Sequence, residues 1–166
     1  MSVTVRDATP GDRAAIAAIN LEGQPGVTPF HDGEIEACIA RATLFRVAER
    51  DGRVCGYLLA FAHGFASIGD EYAWFSARHP AFLYVDQVAV ARSAWRAGVG
   101  AALYSDLAEA ASTRGVGVLT CEVNLEPPNP RSLAFHDAQG FREVGRLRVR
   151  DGRFVSLLER SLDDAG

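Results

Sequence analysis

Residues Phe82 to Ala111 read FLYVDQVAVARSAWRAGVGAALYSDLAEAA, and this stretch limits the fold more than any other. The run Phe82 to Val90 has the length and β-branched content of a buried strand. A short polar turn follows. Gly98 and Gly100 then open a segment in which Val99, Leu103, Leu107 and Ala110 recur at helical spacing. A strand, a glycine turn and a helix N-terminus together form a device for holding an anion. The first-turn N–H groups lack intrahelical partners, and the helix dipole places partial positive charge there. Glycine removes the Cβ that would keep a phosphate off the backbone.

The rest of the chain narrows the class of protein. At 166 residues it fits a single domain spanning 1–166, with enough sequence for a real core. Hydrophobic residues at 48% and charged residues at 23% describe an ordinary globular chain. A formal net charge of −4 argues against nucleic acid as a partner, because phosphate binding needs basic patches. Cys38, Cys55 and Cys121 are odd in number and widely spaced, so they read as reduced thiols and not as a disulfide or metal framework. No run approaches the roughly 18 apolar residues of a membrane helix, and the N-terminus lacks a leader's apolar stretch. A cytoplasmic protein with no membrane partner is the expectation.

In chain order, Val3 and Val5 alternate with polar residues, which predicts a strand ending near Ala8. Thr9-Pro10-Gly11-Asp12 is a helix start, with Thr9 as the cap, and Gly23-Gln24-Pro25-Gly26 breaks that helix. A second helix is predicted from Gly33 to Ala42. Leu44 to Glu49 and Arg53 to His63 read as strands joined through Asp51-Gly52, a strong hairpin signal. Gly64 to Pro80 reads as an irregular insertion or loop over a sheet edge, either a substrate-facing flap or a structural cover. Val116 to Val123 is another strand; a helix between it and the strand at Phe82 implies a locally parallel pair. The Pro-rich turn Asn124 to Pro130, a short helix Arg131 to Gln139, and a hairpin of Phe141 to Arg150 with Phe154 to Leu162 complete an α+β chain with a mixed sheet.

Two signatures then resemble the GNAT superfamily of N-acetyltransferases. VAVARSAWRAGVGAAL is similar to that family's strand followed by [RQ]xxGx[GA]. The run Asn129 to Phe141, NPRSLAFHDAQGF, is similar to its Nxx[AS]xxxYxxxGF. CEVNLEPPNP followed by SLAFH resembles a small bacterial branch described only as predicted acetyltransferases. The resemblance implies a mostly antiparallel sheet with a central splayed parallel strand pair flanked by helices. It implies acetyl-CoA as cosubstrate, with no metal. The CoA pyrophosphate would lie on the N–H groups around Arg96, Ala97, Gly98, Val99, Gly100 and Ala101. The pantetheine arm would pair with Val88, Ala89 and Val90 like an added strand. Asn129 and Ser132 match later contacts to the cosubstrate. Two positions depart from the pattern. Trp95 stands where Arg or Gln is usual, so that side-chain contact is lost or supplied by Arg96 or Arg92. His136 stands where a Tyr usually protonates the leaving thiolate.

Direct transfer to an amine needs a proton acceptor, since a lysine-like amine titrates near about 10.4 and an α-amine near about 8. Glu122 leads, as a carboxylate in the otherwise apolar run LTCEVN. Its structural alternative is an ion pair with an arginine at a sheet end. Asp86 is the second candidate, on the strand face of Tyr84 and Val88, with a structural role the stronger alternative. A thiolate leaving group, at about 8.5, needs only a weak acid, so His136 or water suffices. Cys121 shares a strand face with Leu119 and Val123 and reads as core. Acceptor-side candidates are Glu22, Gln24, Phe30, His31, Tyr72, Trp74 and Phe75. The expected partner is a small-molecule or amino-acid-like amine, bound by a monomer or homodimer. A protein or peptide amine, or a CoA-binding sensor without catalysis, are the competing readings.

Overall fold

The computed structural model describes residues 2–162. Among the described residues seven strands, β1 (Thr4–Asp7), β2 (Leu44–Arg50), β3 (Arg53–Ala62), β4 (Leu83–Val90), β5 (Val118–Glu126), β6 (Arg142–Arg148) and β7 (Phe154–Ser161), are hydrogen-bonded in the order β1-β2-β3-β4-β5-β7-β6, with one parallel pair in a mostly antiparallel sheet. Five α-helices among the described residues complete the α+β fold. The chain divides into two compact units, residues 2–60 with Asp86–Leu107 and Phe61–Val85 with residues 108–162.

The first unit begins with β1 (Thr4–Asp7), which pairs antiparallel with β2 (Leu44–Arg50) from Thr4↔Glu49 to Asp7↔Arg46. A 3₁₀ turn over Pro10–Asp12 precedes α1 (Arg13–Gly23), so the predicted helix start is two segments and not one. Thr9 and Asp12 form a reciprocal capping box, with the Thr9 N–H donating to Asp12 Oδ2 at 2.8 Å. Asp12 also receives two bonds from Arg6, at 2.8 and 2.9 Å, which hold its carboxyl down at about 2. After α2 (Glu34–Arg41), β2 turns into β3 (Arg53–Ala62) through Asp51 and Gly52. Both turn residues have positive φ, 53° and 73°, as a two-residue type I′ hairpin requires. Ile16, Ile19, Val47, Tyr57 and Leu59 pack the unit's interior with Val99, Leu103 and Leu107 of α4 (Val99–Thr113).

The second unit holds the start of β4 (Leu83–Val90), Leu83 to Val85, which runs parallel to β5 (Val118–Glu126) in the register Leu83↔Leu119 and Tyr84↔Thr120. β5 pairs antiparallel with β7 (Phe154–Ser161), and β7 with β6 (Arg142–Arg148). Their hairpin turn is longer than Asp151-Gly152 alone: the Val149 N–H donates to the Arg153 carbonyl at 2.8 Å. Cys121 is buried beside Leu119 and Val123, as a core residue, and none of the three cysteines is in a disulfide.

One expectation fails. Gly64 to Pro80 is not wholly irregular, because α3 (Asp70–Arg78) forms within it. Asp70 and Glu71 in its first turn and Arg78 in its last complement the helix dipole. Tyr72 and Phe75 supply its buried face, with ring centroids 5.6 and 6.2 Å from Tyr84. Two ion pairs tie its N-terminal end to the β6–β7 turn, Asp70 with Arg150 at 3.0 Å and Glu71 with Arg153 at 3.2 Å. Arg78 and His79 meet Glu159 of β7 at the other end. Burial works against ionisation of Glu159, yet these two partners hold it below the usual carboxylate range.

Candidate active site

The candidate anion seat lies in the first unit. Past β4, a 3₁₀ turn over Arg92–Ala94 leads to Arg96 and Gly98, whose φ values of 66° and 80° are both left-handed. This turn delivers the chain to the start of α4 (Val99–Thr113), whose first N–H groups form the candidate anion seat. The Gly98 carbonyl accepts from the Ala102 N–H at 3.0 Å, which makes Gly98 the cap of α4. The N–H groups of Val99, Gly100 and Ala101 then have no intrahelical acceptor. Nothing lies within 4 Å of where a Gly98 Cβ would stand, so the seat is open. The Ala97 N–H donates to the Ala94 carbonyl at 3.3 Å.

Gly56 of β3 sets how close this helix comes to its strands. A Cβ there would meet Val99 Cγ1 at 2.9 Å and the Ala89 carbonyl oxygen at 3.1 Å. The only signal in the sequence is a glycine inside the apolar run VCGYLLAFA, which carries no amphipathic pattern to betray it.

Trp95 has a definite partner. Its indole N–H donates to the Val90 carbonyl at 3.0 Å, which bridges the end of β4 to the turn. The residue remains 42% exposed, and the Arg92 guanidinium carbon lies over its ring, 6.0 Å from the centroid. Arg92 is itself held by Glu22: its N–H donates to Glu22 Oε1 at 3.3 Å and its guanidinium to the Glu22 carbonyl at 3.4 Å.

Residues along the rest of β4 alternate, with Asp86, Val88 and Val90 half-buried and Gln87 and Ala89 buried. Gln87 belongs to a polar cluster that spacing did not reveal. Tyr57 donates its hydroxyl to Gln87 Oε1 at 2.6 Å, and Asn20 donates to the same oxygen at 3.1 Å. Asn20 and Gln87 both donate to the Thr28 carbonyl, at 2.9 and 3.0 Å, while Gln24 donates to Asn20 Oδ1 at 2.9 Å. This cluster pins the loop between α1 and α2, where Phe30 packs against Phe45 and Tyr57. Burial pushes the Tyr57 hydroxyl well above its ordinary value, with the Asp86 charge adding to it, so it stays a neutral donor. Burial also pushes the Cys38 thiol up to about 11, reinforced by Glu34 and Asp86.

Glu122 lies in the second unit, half-buried on β5. Tyr84, 2% exposed, donates its hydroxyl to Glu122 Oε2 at 2.7 Å. The tyrosine is held by Tyr72 and Phe75 of α3, and Tyr72 is fixed in turn by donating to the Ala62 carbonyl at 2.7 Å. Strand alternation alone puts Tyr84 on the face of Asp86; its role as a donor to Glu122 is visible only once the parallel register sets Tyr84 opposite Thr120.

Asn129 caps α5 (Pro130–Ala138), accepting from the Ser132 N–H at 3.3 Å, with Pro130 in the first turn. His136 is 3% exposed between Phe135 and Phe141, each at 5.3 Å. Its Nδ1 lies 2.8 Å from the Ser132 carbonyl, which can only accept, so Nδ1 carries the hydrogen. Burial lowers the His136 pKa and favours the neutral ring. Trp74 packs its indole over Gly145 of β6, where a Cβ would approach within 2.9 Å.

Among the described residues no group of three or more His, Cys, Asp or Glu side chains is placed to hold a metal ion. No helix among them is long and apolar enough to cross a membrane.

The model of the Acetyltransferase (GNAT) family matches residues 15–141. No curated protein matches the chain significantly. Among solved structures, Ard1 from Thermoplasma volcanium is similar at a TM-score of 0.79 and 18% identity, over 98% of this chain and 99% of that one. Naa20 from Chaetomium thermophilum, in complex with a bisubstrate analogue, is similar at 0.77 and 24% identity, over 96% and 87%. yncA from Salmonella typhimurium, with its cofactor acetyl-CoA, is similar at 0.72 and 20% identity, over 100% and 97%.

Proposed function

The chain belongs to the Acetyltransferase (GNAT) family, and from that premise we propose that it moves an acetyl group from acetyl-CoA to a primary amine of a small-molecule or amino-acid-like acceptor. The open seat at the start of α4 supports the cosubstrate. The left-handed turn at Arg96 and Gly98 and the first-turn N–H groups of Val99, Gly100 and Ala101 suit a pyrophosphate. Val88 to Val90 offer the strand backbone that a pantetheine arm can pair with. Acetyl-CoA supplies an activated thioester carbon.

The hydrogen bond from Tyr84 to Glu122 carries the assignment of the base. A donor aimed at one carboxylate oxygen fixes the side chain in place to take the proton that the amine loses. The nitrogen–carbon bond forms as the carbon–sulfur bond breaks, with no covalent enzyme intermediate, so positioning supplies most of the rate. Asp86 is the reserve base. The neutral, buried state of His136 favours solvent as the proton source for the thiolate, with His136 anchoring α5 against Phe141. Asn129 and Ser132 carry the second signature at the start of that helix.

The test is release of free thiol from acetyl-CoA with a panel of amines, including amino acids, polyamines and short peptides. Turnover with a small amine, abolished in Glu122→Gln, is the expected result. Preference for a peptide α-amine would move the acceptor to the protein class. CoA binding without turnover on any amine would make the chain a sensor and sink the enzymatic reading.

A further inference from the structure

Trp95 replaces the residue type that usually opens the first signature, and the anion seat does not use its side chain. The indole is positioned all the same. Its N–H is committed to the Val90 carbonyl at 3.0 Å, which fixes the ring at the lip of the turn, one residue before the left-handed Arg96. Despite that bond the residue is 42% exposed, and among the described residues Leu21 is the other large hydrophobic left so open. A cation lies over one face of the ring: Arg92, itself fixed on Glu22, places its guanidinium carbon 6.0 Å from the ring centroid. A rigid, exposed aromatic beside a cation and next to a phosphate seat is the recurring physical form of a nucleobase platform. Stacking serves any base, and the cation serves the adjoining phosphate.

We propose that Trp95 is the adenine platform of this chain, stacking the base of CoA while Arg92 faces its ribose phosphate. This rests on the CoA reading given above. It assigns to an aromatic face the contact that the usual Arg or Gln makes with a polar group. The nucleotide half of CoA then carries more of the binding energy than the pantetheine half. Adenosine 3′,5′-bisphosphate, which lacks pantetheine, is a ligand in its own right.

Intrinsic fluorescence tests this directly, because the chain has two tryptophans and Trp74 is packed over Gly145 in the other unit. CoA and adenosine 3′,5′-bisphosphate should quench the wild-type emission, and 4′-phosphopantetheine should not. The quenching should vanish in Trp95→Ala. By calorimetry, Trp95→Ala should weaken CoA about tenfold or more and leave 4′-phosphopantetheine within about twofold. Trp95→Phe keeps a ring but loses the N–H, and should hold CoA within about threefold of wild type. Equal weakening by Phe and Ala would assign Trp95 to bracing the Val90 carbonyl and overturn the platform. Tight CoA binding unchanged in Trp95→Ala would overturn it while leaving the CoA reading standing. Failure of the wild-type protein to bind CoA would remove both.

Discussion

Tyr84 donates its hydroxyl to Glu122 across 2.7 Å, from one strand of the parallel pair to the other. The phenol is buried in a cage of Tyr72 and Phe75, so it cannot swing away, and the carboxylate it holds is half-buried. Removing the hydroxyl in Tyr84→Phe takes away the bond that holds the carboxylate in place, so kcat should fall while CoA affinity is unchanged. Glu122→Gln should lower kcat by about 10²- to 10⁴-fold. A kcat that Tyr84→Phe leaves at the wild-type value would show that this bond has no part in positioning the base.

Gly98 tests the anion seat. Its φ of 80° is left-handed, and the space where a Cβ would stand is empty of protein. A β-branched residue there costs about 1–2 kcal/mol of backbone strain and fills the seat. Gly98→Val should weaken CoA tenfold or more, about 1.4 kcal/mol, with the far-UV spectrum unchanged. Unaltered affinity would place the pyrophosphate elsewhere.

Gly56 makes a different prediction, because its φ is ordinary and its problem is space. A methyl group would press on Val99 and on the Ala89 backbone, both rigid. Gly56→Ala should destabilise the protein by about 1–3 kcal/mol in urea denaturation. It should also weaken CoA, since the first turn of α4 must move away from β4. Gly11→Ala, whose Cβ would meet nothing closer than 3.7 Å, is the control and should do neither.

The contrast between these two glycines shows what could be read from the sequence. Gly98 was legible because it follows a strand and opens a helical period, and a left-handed turn needs glycine. Gly56 was not, because close approach between a strand and a helix far along the chain leaves no local pattern. The same division runs through the fold. Asp51-Gly52 signalled its hairpin through turn chemistry, whereas α3 was missed. The apolar residues of its buried face are only Tyr72 and Phe75, beside the buried Glu71, and Gly69 gives it no side-chain cap. The charge signals at its ends were present but are weak beside two glycines and a proline. At the site, Glu122 stood out as a charge in an apolar run, but Tyr84 is an unremarked aromatic until the parallel register sets its strand beside β5. His136 was fixed in place by the second signature; its burial between two aromatic rings, which sets its charge, was not.

Asp12 gives a pH signature. The Arg6 side chain, against the cost of burial, lowers its pKa from 3.8 to about 2 in the folded protein. A depressed folded pKa contributes stability above the unfolded value, and the contribution is lost as pH falls through the folded one. Wild type should exceed Asp12→Asn by about 2 kcal/mol near neutral pH, and the gap should close between about pH 4 and pH 2. A gap independent of pH would mean that the capping geometry, not the charge, is what Asp12 contributes.

Arg153 joins three elements and should be the most sensitive single position of the second unit. Its guanidinium reaches Glu71 at 3.2 Å, Asp151 at 2.8 Å and Asn124 at 3.3 Å. Glu71 is 6% exposed, so Arg153→Met leaves a buried carboxylate without its cation. Breaking a buried pair from one side costs about 3–5 kcal/mol, whereas replacing both partners is close to neutral. Arg153→Met should therefore unfold at much lower urea, and the double variant with Glu71→Gln should recover most of the loss. Because α3 also carries Tyr72 and Phe75 against Tyr84, the single variant should lose turnover before it loses CoA binding. Loss of both in parallel at temperatures where the protein stays folded would show that α3 has no separate part in holding Glu122.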